Sequence, residues 1–279
     1  MKFFELPQTN PCRFDLGLPE KDSRNFPHRL SHVKQPTDSK LGECGVYVGI
    51  KGTCVYHSQT ERIALHFADF NTLVGAIRTH LPVYNSEKFR ARYEAGMPIP
   101  VNSVATIDLD LPYFSPHEKR WRQHGVSCKD TLAEFKKRDV ARRALREQGF
   151  YDSIGGTWEP VEKAYFPAVE YDNYEYILTN IKRSDVITLW HDAKVTASLW
   201  MKDDRRRSVR ESLAPFSRAL HVNEDHVFRL TCIAIYLGHL RLNHRHKFEL
   251  SRPLDIAPGN TYLFERRVEP APWGLEYEC

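Results

Sequence analysis

The sequence predicts a mixed α/β domain followed by a helical one, and three stretches carry that reading. Ser103–Leu111 alternates with the period of two that a strand requires, with Ile107, Leu109 and Leu111 on one face and Asp108 and Asp110 on the other. Gln59–Phe70 instead repeats Ile63, Ala64, Phe67 and Phe70 at helical spacing, behind Ser58 and Glu61 in a capping-box pattern. From Ser184 onward the patterns become helical.

Composition sets the bounds. The 279 residues suffice for two domains, and 27% charged with 41% hydrophobic residues is the balance of a soluble globular chain. No run of about 18 apolar residues occurs, so no membrane span is expected. The opening MKFFELPQTNPCRF lacks a long apolar stretch, so no signal peptide is expected either. Cys12, Cys44, Cys54, Cys128, Cys232 and Cys279 are scattered without a Cys-x-x-Cys pair, which predicts reduced thiols in a cytosol and speaks against a zinc ribbon. A net charge of +4 does not indicate nucleic acid, but the basic residues are clustered. The absence of a Gly-rich phosphate loop, a Gly-x-Ser-x-Gly and a His-Glu-x-x-His sets aside kinase, serine-hydrolase and zincin chemistry.

In chain order, residues 1–40 are proline-punctuated and basic, either an irregular lead-in or an arm that lies on a phosphate backbone or a partner. Residues 44–57 predict a β-hairpin turning at Gly49–Gly52, and Val74–Tyr84 a strand ending near Pro82. Residues 85–100 form a charged insertion. Residues 112–130 predict a loop in which Tyr113, Phe114, His117, Lys119, Arg120, Trp121 and Arg122 mix rings and cations, suited to nucleic acid or to plain surface packing. Thr131–Lys136 predicts a strand with Glu134 and Lys136 on one face and Phe135 in the core. A basic helix follows, with Lys137, Arg138, Arg142, Arg143 and Arg146 placed to grip phosphates and Gly149 as its C-cap. Tyr174–Asn180 predicts one more core strand.

Beyond it, three helices are expected: one capped by Ser184, one preceded by Arg205, Arg206 and Arg207, and one capped by Asn223 that buries Val227, Leu230, Ile233, Ala234 and Leu237. Residues 239–255, with Arg241, Arg245 and Lys247, predict a basic hairpin, which would make the C-terminal domain winged-helix-like. His239, His244 and His246 have no cysteine or carboxylate pattern beside them and are not read as a metal site. The expected organisation is an irregular arm at 1–40, an α/β domain at 41–182, and a helical domain with an extended tail at 183–279.

The acids carry the chemistry. On one strand face, the Glu134 carboxylate can hold Mg²⁺ while the Lys136 ammonium orients water or steadies a phosphate; the plainer alternative is a solvated ion pair. Asp108 and Asp110 are costly to bury without a counter-ion, so they face either a metal or solvent. Glu61 is either a helix cap or a third metal ligand.

Glu61 on a helix, Asp108 on a strand and Glu134-x-Lys136 on the next strand stand in the order of the PD-(D/E)xK restriction-endonuclease-like core, which this chain resembles. Within that group, ERIALHFADFNTLVGAIRTHLPVYN, ATIDLDL and AEFK resemble TnsA, the endonuclease subunit of heteromeric cut-and-paste bacterial transposons. Ile77, Arg78, Leu81 and Pro82 match the family's strand after the helix glutamate, and Asp110 is an alternative to Asp108. The resemblance implies Glu61, Asp108, Glu134 and Lys136 as catalytic residues, the three acids as ligands of Mg²⁺ (or Mn²⁺), and hydrolysis of the 5′ strands at transposon ends. It further implies double-stranded DNA, a TnsB-like DDE transposase and a TnsC-like AAA+ regulator as partners, in a bacterial cytoplasm with no membrane association. The rivals are a standalone restriction or repair endonuclease and a non-catalytic winged-helix DNA-binding adaptor.

Overall fold

The computed structural model describes residues 44–83, 106–115, 118–204 and 206–257. The N-terminal arm, the charged insertion, His117, Arg205 and the tail after Pro258 lie outside them. Two compact units part between Phe166 and Pro167, earlier in the chain than the 182/183 boundary expected.

The first unit opens with an antiparallel hairpin, β1 (Gly45–Gly49) and β2 (Gly52–Tyr56). Gly52 lies at φ +143 in its turn, a conformation L side chains rarely adopt. Helix α1 (Gln59–Phe70) has the predicted bounds because its signals are local: the Ser58 side chain accepts from the Glu61 N–H (3.2 Å). Ala64, Leu65 and Ala68 are fully buried on it.

A four-stranded mixed sheet in the order β3–β4–β5–β6 forms the body, flanked by α1 and by helix α2 (Arg138–Ser153). Strands β3 (Arg78–Pro82), β4 (Thr106–Ser115) and β5 (Arg120–Lys129) are antiparallel neighbours. β6 (Thr157–Glu162) runs parallel to β5, which needs a crossover that α2 supplies. Ile107, Leu109 and Leu111 of β4 are fully buried, as their alternation predicts.

Three expectations fail here. Residues 120–129 are a strand rather than a loop. Gln123, His124 and Ser127 are buried in it, so polar residues fill positions where alternation looks for apolar ones. Thr131–Lys136 is not a strand. Leu132–Lys136 forms a short 3₁₀ helix, with Glu134 N–H bonded to Thr131 O (3.1 Å) and Lys137 N–H to Glu134 O (3.1 Å). Both edges of β5 are already taken by β4 and β6, and Leu-Ala-Glu-Phe-Lys carries no β-branched residue to favour extension. Gly149 lies inside α2, which continues to Ser153 so that Phe150 and Tyr151 pack in the core; the left-handed residue past its end is Gly155 (φ +67).

Tyr151 lies flat against Gly125 of β5, where any Cβ would run into its ring. Gly125→Ala is expected to lower the unfolding free energy by about 1–3 kcal/mol through overpacking, read from the denaturant midpoint.

The second unit contains helices α3 (Ala168–Ile181), α4 (Trp190–Lys202), α5 (Val209–Leu220) and α6 (Glu224–Tyr236). α6 packs against the other three, burying Val227, Leu230, Ile233 and Ala234, and Trp200 Nε1 donates to Thr231 Oγ1 (2.9 Å). Asn223 caps α6 as expected, and Ser208 closes a capping box with Glu211 on α5. Tyr174–Asn180, expected as a strand, belongs to α3, whose buried residues Asn173, Ile177, Leu178 and Ile181 recur at helical spacing. Ser184 caps no helix; α4 begins at Trp190, after a turn closed on Asp185.

Residues 239–257 form no β-hairpin, only isolated bridges at Leu242–Ile256 and Ser208–Pro253. They are pinned instead by buried Asn173, which donates to His246 O (3.1 Å) and accepts from Phe248 N–H (2.7 Å). The wing expected from this stretch is therefore absent among the described residues. No helix among them is long and apolar enough to cross a membrane.

Candidate active site

The first turn of α1 and the beginning of β4 bring two buried carboxylates into electrostatic contact. Glu61 Oε2 accepts from His57 N–H (2.8 Å) and its Oε1 from the Ser58 hydroxyl (3.2 Å), so it does serve the helix start. The two roles read from the sequence are compatible, because the same side chain lies close enough to feel the charge of Asp108. Burial, then Asp108, push Glu61 up to about 8, against the Lys129 charge and the His57 and Ser58 hydrogen bonds. Asp108 goes the other way. Its burial is outweighed by Lys129, Arg143 and the Cys128 N–H, and its carboxyl is held below the usual range. Near neutral pH the pair therefore holds one proton, on Glu61.

The lysine beside Asp108 is Lys129, whose Nζ lies 3.9 Å from Oδ2. The Cys128 N–H donates to the same oxygen (2.7 Å), and Arg143 Nη2 lies 3.2 Å from Oδ1. Glu134 and Lys136 do not join this group. Glu134 pairs with Lys137 (3.7 Å), and Lys136 is exposed on the 3₁₀ turn. Lys129 ends β5, two residues after Ser127. The signal that could have found it was the polar-x-Lys spacing on the strand that pairs with the aspartate strand.

Where a carboxylate was expected two residues before the lysine, Ser127 donates its hydroxyl to Glu147 of α2. Glu147 is 1% exposed and also accepts from Arg143 Nε (2.6 Å) and Trp158 Nε1 (3.3 Å). His80 stands opposite Asp108 in the β3–β4 pairing but leaves the ladder at φ +53, with Nε2 3.6 Å from Glu61 Oε2 and its ring 4.3 Å from that of His57.

Asp110, the alternative ligand, is closed off. Arg78 lies 2.6 Å from its Oδ2, Tyr151 donates to Oδ1 (2.8 Å), and the carboxylate is fully buried. It holds β3, β4 and α2 together, and Asp108 is the aspartate beside Glu61.

Of the cations assigned to DNA, Lys137, Arg138, Arg142 and Arg146 are exposed on or just before α2, whereas Arg143 turns into the carboxylate group. In the second unit Arg206, Arg241 and Arg245 are exposed, Arg207 pairs with Asp203 (3.5 Å) and Lys247 with Asp172 (2.6 Å).

No three His, Cys, Asp or Glu side chains among the described residues converge as a ready metal cage. Two carboxylates suit Mg²⁺, which keeps much of its water and takes one or two acidic ligands. A pair in which one acid suppresses ionisation of the other is relieved by a divalent cation, so the residues present fit that ion. No protein-family model matches the chain, and no curated protein matches it at a significant level.

Proposed function

We propose that this chain is a Mg²⁺-dependent DNA endonuclease with a restriction-like core, in which Glu61 and Asp108 hold the metal and Lys129 serves the attacking water and the phosphate. The observation that carries it is the meeting of a helix glutamate, a strand aspartate and a lysine from the neighbouring strand at one buried place. Mn²⁺ is expected to substitute for Mg²⁺.

When bound, the cation supplies Lewis-acid neutralisation of the phosphate and its leaving oxygen. The chain's own groups do the rest. Lys129 donates a hydrogen bond to the incoming water oxygen and offsets charge that builds on the phosphate. Asp108 stays ionised, fixed by the Cys128 N–H. The water oxygen bonds to phosphorus as the bond from phosphorus to O3′ breaks, leaving a 5′-phosphate and a 3′-hydroxyl. The proton lost by water passes to solvent, and the departing oxygen takes one from solvent.

The finer reading is a TnsA-like subunit that cuts 5′ strands at transposon ends beside a DDE transposase and an AAA+ regulator. What supports it is the order of Glu61, strand β3, Asp108 and a following strand lysine, with a helical second unit next in the sequence. The exposed arginines of α2 and of the second unit are the proposed backbone contacts. Purified protein is to be tested with Mg²⁺ on strand-labelled transposon-end duplexes, with and without the transposase. Cleavage of the 5′ strand that needs the transposase supports the whole reading, and cleavage without it assigns a standalone nuclease. No cleavage with either, while DNA still binds, overturns the enzyme reading.

A further inference from the structure

Arg143 was grouped with the α2 cations that grip a DNA backbone, yet it differs from them all. Its side chain runs from α2 to the β4 strand and is fixed at two edges. Nε donates to Glu147 Oε1 (2.6 Å), while Nη2 donates to Thr106 O (2.5 Å) and lies 3.2 Å from Asp108 Oδ1. Glu147, one helical turn away, is itself fixed by the Ser127 hydroxyl and Trp158 Nε1. Nη1 has no partner among the described residues, and the side chain keeps 37% of its surface exposed. A planar cation locked on two edges, with the third free beside an essential carboxylate, is a preorganised donor for a phosphate oxygen.

We infer that Arg143 is a catalytic residue of the proposed nuclease: its Nη1 edge holds a non-bridging oxygen of the scissile phosphate, and Glu147 is its positioning residue. This rests on the nuclease reading above. The cost of ordering a flexible arginine is met in the folded protein before DNA arrives, so the contact costs little entropy when substrate binds. The exposed Arg142 and Arg146 are not held in this way.

The test has two arms. First, the cleavage position is mapped, and a duplex is made with one neutral methylphosphonate there. Binding is measured without metal for wild type, Arg143→Ala and Arg142→Ala. Wild type is expected to bind the modified duplex several-fold more weakly than the normal one. Arg143→Ala should bind both equally, and Arg142→Ala should weaken both while keeping the difference. An undiminished difference in Arg143→Ala overturns the assignment.

Second, single-turnover cleavage is compared for Arg143→Lys, Glu147→Gln, the double variant and Asp108→Ala, each checked for folding by circular dichroism. Arg143→Lys should lose about 100-fold and Glu147→Gln about 10-fold, and the double variant should be no slower than Arg143→Lys, because Glu147 acts through the arginine. Wild-type rates in Arg143→Lys with Asp108→Ala dead overturn the Arg143 role alone. Wild-type rates in all of them, Asp108→Ala included, overturn the active site on which the nuclease reading rests.

Discussion

Lys129→Ala is expected to slow Mg²⁺-dependent strand cleavage by about 1000-fold or more in single turnover, while Lys136→Ala leaves it within about twofold. Of the two lysines, only Lys129 comes within reach of Asp108, at 3.9 Å, and only it contributes to the electrostatics of both carboxylates. Lys136 sits exposed on a 3₁₀ turn, and both edges of β5, the strand just before it, are already taken. Lys129→Arg should rescue little, because a guanidinium keeps its proton and presents a fork where a point donor is needed. The loss is not a folding effect, since Arg143 and the Cys128 N–H still hold Asp108. Thermal melts of the variants should confirm this. Full cleavage by Lys129→Ala, with loss in Lys136→Ala, would return the Glu134–Lys136 pair to the site and overturn the geometry argued above.

That contrast shows where sequence reasoning reached and where it stopped. Signals confined to a few consecutive residues were legible. Ser58 and Glu61 fixed the start of α1, and the period-two pattern around Asp108 showed β4 as far as Leu111 but missed its continuation to Ser115. Lys129 was not legible as a neighbour of Asp108, because β5 buries Gln123, His124 and Ser127 as partnered or sheet-facing polar groups and so hides its strand character. Leu132–Lys136 carries Glu-x-Lys at the right spacing, but whether it can join a sheet depends on who occupies the edges of β5, and β6 lies some thirty residues further on. The choice between Asp108 and Asp110 was equally closed to local reading. Arg78 and Tyr151, which take Asp110 for the core, come from β3 and α2. Tyr-Glu-Tyr-Ile-Leu fits either period over so short a run, and only the spacing from Asn173 to Ile181 shows the helix.

Two buried acids of the first unit, Asp110 and Glu61, should respond to substitution with opposite signs. Asp110→Ala leaves the Arg78 charge and the Tyr151 hydroxyl facing a vacated, fully buried place, and is expected to cost about 3–5 kcal/mol of unfolding free energy. Glu61→Gln should instead stabilise the metal-free protein while abolishing cleavage, by an amount on the order of 1–2 kcal/mol at pH 8. The direction follows from its proton. Below an ordinary glutamate value of about 4.3, folded and unfolded chains both hold it and the burial carries no charge penalty. Between there and about 8 the unfolded chain releases the proton while folded Glu61 keeps it, so folded stability falls as pH rises. Above about 8 the penalty is complete. A glutamine does not titrate, so the advantage of Glu61→Gln should grow across that window and level off beyond it. Denaturation at several pH values in chelator measures this, and a constant difference between the two proteins would remove the Glu61–Asp108 coupling from the site. Mg²⁺ should reverse the ranking. It binds the ionised pair, so at pH 7 its binding should release a proton and stabilise wild type but not Glu61→Gln. Calorimetry in two buffers of different ionisation enthalpy counts that proton, and finding none would mean that Glu61 does not hold the metal.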